Sequence, residues 1–268
     1  MSEEKLKSEG KCFFCGKTFS KAGINRHLKT HLEDQSLENK TGTSFLLKIE
    51  ADPYYGVYPY FLSLWVNGET TMKKIDDFLR DIWLECCGHM SAFRDPKRRR
   101  QGGMWDFFEA EALLEKGKIK EYEKLMEESA GEIPMSRKAK DVFYQDSKLE
   151  YEYDFGSTTK LLITTLAQYL FKADKAIVLL SRNEPLKILC DTCKKAPATQ
   201  FCTIHNWDED SMFCEKCARK HTKSCEDFED YAAMPVVNSP RMGVCAYEGG
   251  VIDTERDGVY QMNLKKPI

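Results

Sequence analysis

The sequence has little charge of one sign, few histidines and no long apolar run. Lys and Arg number 40 against 43 Asp and Glu, for a formal charge of -3 and a pI near 6.0. So near to neutrality, no global field draws the chain to nucleic acid or to an anionic membrane, and such binding would need a local patch. No stretch reaches the roughly 18 to 20 apolar residues that cross a bilayer. Even Lys160 to Leu180 is broken by Gln168, Lys172, Asp174 and Lys175. Met1 to Lys11 is charged and has neither the apolar core nor the small-residue cleavage site of a secretory signal, so a cytoplasmic, reducing setting is expected. At 268 residues, 42% hydrophobic and 31% charged, the chain can bury a sizeable core and falls outside the composition of disordered proteins.

Cysteine, by contrast, is abundant, with eleven residues against five histidines. In a reducing setting this points away from a disulfide framework and toward metal. Residues 12 to 31 read C-x2-C-x11-H-x3-H. Cys12 and Cys15 form a close pair, and His27 and His31, one helical turn apart, project to the same side, so the four can surround one tetrahedral zinc. Phe19 and Ile24 are placed to form the small core that such a metal holds together. These twenty residues resemble the C2H2 zinc finger family. The usual spacing between second cysteine and first histidine is twelve residues, and here it is eleven. Counting back from His27, the positions that such fingers use on bases fall at Ser20, Gly23 and Arg26, of which only Arg26 can make a bidentate contact to guanine. Lys11, Lys17, Lys21, Arg26 and Lys29 make the segment basic, with no carboxylate among residues 11 to 31. Nucleic-acid contact, protein docking and stabilisation of the terminus all remain open for this finger.

A second set reads C-x2-C-x8-C-x2-H-x8-C-x2-C-x3-H-x3-C from Cys190 to Cys225. Eight ligands in four close pairs make two complete tetrahedral sites, in a segment too short for a core of its own, so metal must supply most of its folding free energy. Spacing alone allows consecutive or alternating pairing. The alternating order resembles the cross-brace modules, B-box and ZZ-like domains in particular. That resemblance implies Cys190, Cys193, Cys214 and Cys217 on one zinc and Cys202, His205, His221 and Cys225 on the other. It also implies a protein-docking role. The eight residues between His205 and Cys214 are too many for a RING finger, so ubiquitin-ligase activity is not implied. Three zinc ions per chain are expected in all.

Between the two clusters the patterns are those of an α+β domain, a mixed sheet with packed helices, to which the two small zinc-stabilised modules are added. Residues 45 to 51 and 60 to 66 read as strands, followed by a helix capped by Thr70 or Thr71 with Ile75, Phe78, Leu79, Ile82 and Trp83 at helical spacing. A second helix is expected over 105 to 129, with Gly117 as a point where it can split. Residues 142 to 144, 149 to 155, 161 to 169 and 176 to 180 supply three or four more strands. Lys97, Arg98, Arg99 and Arg100 form a basic run that reads as a solvated loop, or as a nucleic-acid contact in company with Lys17, Lys21, Arg26 and Lys29.

Residues 87 to 93 and the run YEYDFGS over 151 to 157 give this middle part a resemblance to the plasmid pRiA4b ORF-3-like family. The resemblance implies an α+β domain over residues 44 to 185 with no settled activity. Residues 234 to 243 look like a return to the same domain, which makes the double-zinc module an insertion. The expected organisation is a finger over 1 to 35, a linker over 36 to 43, the α+β domain over 44 to 185, the cross-brace module over 186 to 229 and a returning segment over 230 to 268. Asp154 to Ser157 has turn chemistry. His89 lies outside the expected metal sets, and it can pair with Asp154 as an acid and base or simply be packed. Cys86, Cys87 and Cys245 are expected to behave as small buried hydrophobes. The function expected is that of a non-enzymatic zinc-binding interaction or regulatory protein with a protein partner and no membrane association. The alternatives are a DNA- or RNA-binding regulator and an enzyme using His89 and Asp154.

Overall fold

The computed structural model describes residues 6–35, 41–52, 58–97, 104–122, 125, 131–205 and 210–251. The expected basic residues Arg98, Arg99 and Arg100 lie outside them.

The chain opens with a hairpin, β1 (Glu9–Lys11) and β2 (Thr18–Ser20), followed at once by α1 (Lys21–Gln35). The missing residue of the finger spacing is absorbed here, because the helix begins directly after β2 and Ser20 Oγ accepts from Gly23 N at 3.2 Å. The main sheet is built from β3 (Thr41–Ala51), β4 (Phe61–Asn67), β5 (Ser91–Arg94), β6 (Glu132–Ile133), β7 (Lys148–Tyr153), β8 (Thr159–Phe171) and β9 (Ile177–Arg182). Its seven strands lie in the order β6-β5-β7-β8-β3-β4-β9. The α+β class is as expected, but every strand pair in the sheet is antiparallel rather than mixed. β3 starts at Thr41, inside the stretch expected to be linker.

α2 (Met72–Leu79) packs on one face of the sheet and continues as a π-helical turn through Arg80–Leu84. Thr71 caps it, its side chain accepting from Lys74 N. Ile75, Leu79, Ile82 and Trp83 are fully buried against Phe45, Leu47, Leu64, Tyr151 and Leu161, which makes this the principal core. α3 covers Met104–Glu115, and the helical pattern expected as far as 129 is interrupted at Gly117, where φ is +67° and a left-handed turn leaves the helix. Residues 142 to 144 form no strand. They follow a 3-10 turn over Ala139–Asp141 that inserts Phe143 into the core.

The opposite face of the sheet is covered by the finger. Ile24, Leu28 and Leu32, spaced four residues apart on α1, are each fully buried in a cluster with Leu46, Phe61, Trp65, Phe171 and Leu180. Side chains buried to that extent stabilise by about 1.5–3 kcal/mol each. Asn25 accepts from Ser63 Oγ at 2.8 Å, and Lys21 pairs with Glu50 at 2.9 Å. The hairpin is stitched to the edge strand, with Phe13 N donating to Leu180 O and Gly10 bridging Asn183. A Cβ on Gly10 would stand 2.6 Å from Ser181 Oγ, so only glycine permits this approach. The finger is a layer of the domain. The expectation of a separate module beyond a linker is corrected by this apolar stripe, which a free finger would leave in water.

The rest of the chain forms a small sheet, β10 (Gln200–Cys202), β11 (Met212–Phe213) and β12 (Ala233–Pro235), with the helix α4 (Glu215–His221). After β12 the chain returns to the main domain. Asn183 Nδ2 donates to Asn238 Oδ1 at 2.6 Å and Asn238 Nδ2 to Asn183 O at 2.9 Å, Arg182 donates to Asn238 O at 2.7 Å, and Ser239 Oγ donates to Trp83 O at 2.6 Å. No helix among the described residues is long and apolar enough to cross a membrane.

Candidate metal centres

The described residues contain four groups of cysteine and histidine whose ligand atoms all lie within 4.8 Å of one another. Ligands at 2.0–2.3 Å from one tetrahedral ion stand roughly 3.3–3.8 Å apart, so each group is about the size of a single zinc site.

In the finger, Cys12, Cys15, His27 and His31 converge as the spacing requires. Cys15 Sγ lies 3.2 Å from His27 Nε2, which lies 3.1 Å from His31 Nε2. Phe19 stacks on the His27 ring at 4.1 Å. Burial, with His31 and Lys17 nearby, lowers the His27 pKa and keeps the ring neutral, the form that ligates.

In the second cluster the structure brings together Cys190, Cys193, Cys214 and Cys217 in one group and Cys202, His205, His221 and Cys225 in the other. This alternating arrangement is the cross-brace. Cys193 and Cys214 sulfurs stand 4.0 Å apart, and Cys202 Sγ stands 3.2 Å from His205 Nδ1. The two sites with Phe213, Ala218, Phe228 and Ala232 make up the core of the module, so little else holds it together. The chemistry of the donors fits a divalent cation. Backbone amides of Ala196 and Lys195 pull the Cys193 thiol down to about 6, whereas burial and its neighbours Cys190 and Cys214 push Cys217 up to about 12. Four close thiols cannot all ionise unaided, and a bound Zn2+ removes that conflict. In the other site the His221 ring is stacked on Phe213 at 4.3 Å, and its Nε2 is buried without a hydrogen-bond partner among the described residues. A polar atom orphaned inside a ligand set is the mark of a metal position.

The fourth group was not expected from spacing. Cys86, Cys87, His89 and Cys245 come together although 158 positions separate Cys87 from Cys245. Cys87 Sγ stands 2.9 Å from His89 Nε2, 3.4 Å from Cys245 Sγ and 3.5 Å from Cys86 Sγ. Cys87 and Cys245 are exposed and Cys86 is half-buried, which corrects the expectation of three buried hydrophobes. One signal in the sequence could have found them. Once three sets of four are assigned, the cysteines and histidines that remain are three and one, again a complete set.

The expected pair of His89 and Asp154 does meet, at 3.5 Å from Nε2 to Oδ2. Asp154 is otherwise committed. Its Oδ1 accepts from Gly156 N and Ser157 N in the turn expected from DFGS, with φ of +63° at Asp154, and its Oδ2 accepts from Arg241 Nη2 at 2.6 Å. Burial opposes ionisation of Asp154, but the Arg241 guanidinium and these amides hold its carboxyl below the usual range, so it is an anion at neutral pH and a poor general acid.

Of the basic side chains of the finger, Lys17 and Arg26 are exposed, as is Lys97 in the main domain, while Lys29 is half-buried and Lys21 is paired with Glu50. The sites differ from catalytic metal centres in one respect. Each offers four protein ligands, enough to complete one tetrahedral ion, whereas a catalytic zinc keeps a position open to water or substrate.

No family model and no curated protein matches the sequence. Among solved structures, a protein of unknown function, MM3350 from Methanosarcina mazei Go1, is similar with a TM-score of 0.36 and 11% identity over 71% of this chain and 87% of that one, a likeness too low to carry an argument.

Proposed function

We propose that the protein is a zinc-stabilised, non-enzymatic interaction protein that docks a protein partner through its cross-braced module, on an α+β scaffold of the pRiA4b ORF-3-like kind. The observation that carries this reading is closure: the finger and both cross-braced groups offer four protein ligands each, the pattern of zinc that folds a surface rather than performs a reaction. The module offers such a surface. Ile204 and Tyr231 are 42% and 67% exposed, and Thr203 N donates to Ala232 O, so the backbone beside each runs close to the other and both large side chains lie on the outside of the module.

Metal analysis and partner capture test this together. The intact chain purified from its native cells is expected to carry zinc in the finger and in both cross-braced sites. A co-purifying protein is expected to be lost on Ile204→Ser with Tyr231→Ser while the zinc content stays. Loss of the partner on Arg26→Ala instead, with a steep salt dependence of nucleic-acid binding, would overturn docking in favour of a nucleic-acid role for the finger.

A further inference from the structure

Cys86, Cys87 and His89 sit in a short loop that leaves the π-helical turn at the end of α2, a kind of irregularity often found beside functional sites. The loop is held in shape by charge. Asp76, buried on α2, accepts from Tyr151 Oη at 2.7 Å and from Ser91 Oγ at 2.6 Å, and pairs with Arg80 at 3.1 Å. Arg80 in turn donates to Glu85 and to the His89 carbonyl, and Glu85 accepts from Gly88 N at 2.6 Å. Such outer contacts are what orient the ligands of a metal.

The remaining ligand arrives from the other end of the chain. Arg241 is fully buried, with its guanidinium 4.7 Å from the Tyr153 ring, bonded to Asp154, and 3.5 Å from Cys86 Sγ. Four residues on, Cys245 adopts a left-handed backbone with φ of +53°, rare for a side chain other than glycine or asparagine, and this turns its sulfur toward Cys87. Past it, Val251 N bonds Asp81 O at 2.6 Å, and a Cβ on Gly250 would lie 2.1 Å from Ile82 O. The returning segment is thus pressed against the end of the helix on both sides of its cysteine.

We propose that Cys86, Cys87, His89 and Cys245 form a fourth metal site, a Cys3His centre for zinc, which clasps the returning segment to the loop after α2. Three thiolates and one imidazole suit zinc among the common divalent ions, and the four ligand atoms, all within 4.8 Å of one another and as close as 2.9–3.7 Å at His89, surround a space of the size of one ion. With this group assigned, all eleven cysteines and all five histidines of the chain are ligands in sets of four. The site goes beyond the interaction reading and does not depend on it. Two of its thiols are exposed, against one in the finger and none in the cross-braced groups, so it is the group most open to chelators and oxidants.

The test uses the full-length chain purified under reductant, loaded with zinc alone, freed of excess and assayed by elemental analysis. Four zinc ions are expected, one for each group, with Cys245→Ser removing one. Cys87→Ser with Cys245→Ser together should also remove one and not two, because both belong to the same ion, whereas Cys12→Ser with Cys245→Ser should remove two. In the cobalt-loaded protein Cys245→Ser should lower the thiolate-to-cobalt absorption. An unchanged zinc content in Cys245→Ser overturns the fourth site. So does protein prepared without reductant in which two of the eleven thiols are missing on denaturation while Cys245→Ser restores full reactivity, since that result identifies a disulfide. If Cys12→Ser, Cys190→Ser and Cys202→Ser each remove one zinc and Cys245→Ser removes none, this site falls and the interaction reading stands. If those three remove none and Cys245→Ser removes one, the interaction reading falls and this site stands.

Discussion

The finger and the cross-braced module both fold a short segment around cysteine and histidine, but they use their apolar residues in opposite ways. α1 extends its apolar stripe past His31 to Leu32 and lays it on the sheet, so the finger has joined the core of another unit. The module keeps Phe213, Phe228 and Ala232 for itself, around its two sites, and meets the main domain through a separate small cluster of Ile188, Phe201 and Met212 with Val236 and Met242. Metal bound at these groups would therefore be a local matter in the finger and the condition of folding in the module. A shared use of cysteine and histidine ligands does not tell how such a segment is attached, whereas the apolar residues it leaves over do.

The comparison breaks most severely if residues 1 to 36 can be removed without harm. Their deletion is expected to uncover Leu46, Phe61, Trp65, Phe171 and Leu180 and to leave the remainder insoluble or strongly destabilised, as read by soluble yield and thermal melting. A remainder that melts like the intact protein would return the finger to the status of a tethered module. Next in size is the response to ligand loss in the module. Cys190→Ser and Cys214→Ser should release the same zinc, and Cys202→Ser the other, each with unfolding around Phe213, since structural zinc contributes about 10–16 kcal/mol in isolated fingers. Site-resolved cobalt spectra distinguish this from release in consecutive order.

Leu28→Ala is expected to cost about 2–5 kcal/mol, a fall in melting temperature of ~5–15 °C at the usual size scaling, with finger metal retained. Gly243→Ala should cost about 1–3 kcal/mol, because its φ is +74° and the new Cβ would stand 2.2 Å from the Phe201 ring, across the junction of module and domain. The smallest effect is expected at Glu69, whose exposed carboxyl is held down to about 2 by bonds from Lys138 and Lys140. A depressed pKa contributes above the unfolded value and is lost as pH falls through the folded one, so the loss from Glu69→Gln, small because the carboxyl is exposed and screened, should be fully present in melting at pH 7 and fade between about pH 4.5 and 2.

Much of this was legible in the sequence because it is local. Close ligand pairs within 36 residues announce the double site, alternating Leu149, Tyr151 and Tyr153 announce β7, and Thr71 with Ile75 and Leu79 announces α2. The fourth group was hidden because its members meet only after the sheet has formed and the chain has come back across it, and no spacing rule spans that distance. The docking of α1 was written in Leu28 and Leu32, which a lone finger does not need. Strand direction within the sheet lay outside what periodicity records.

β9 is the last strand of the main sheet, and a bare strand at that position would offer its free amides and carbonyls to any other chain. Here Phe13 N takes Leu180 O, Gly10 faces Asn183, and Glu184 N takes Glu9 O, so the hairpin that carries Cys12 and Cys15 stands as a hem along that border. If metal at Cys12, Cys15, His27 and His31 holds that hem in register, its removal by a chelator is expected to bare the border of β9 and join one copy to the next, a change read as light scattering.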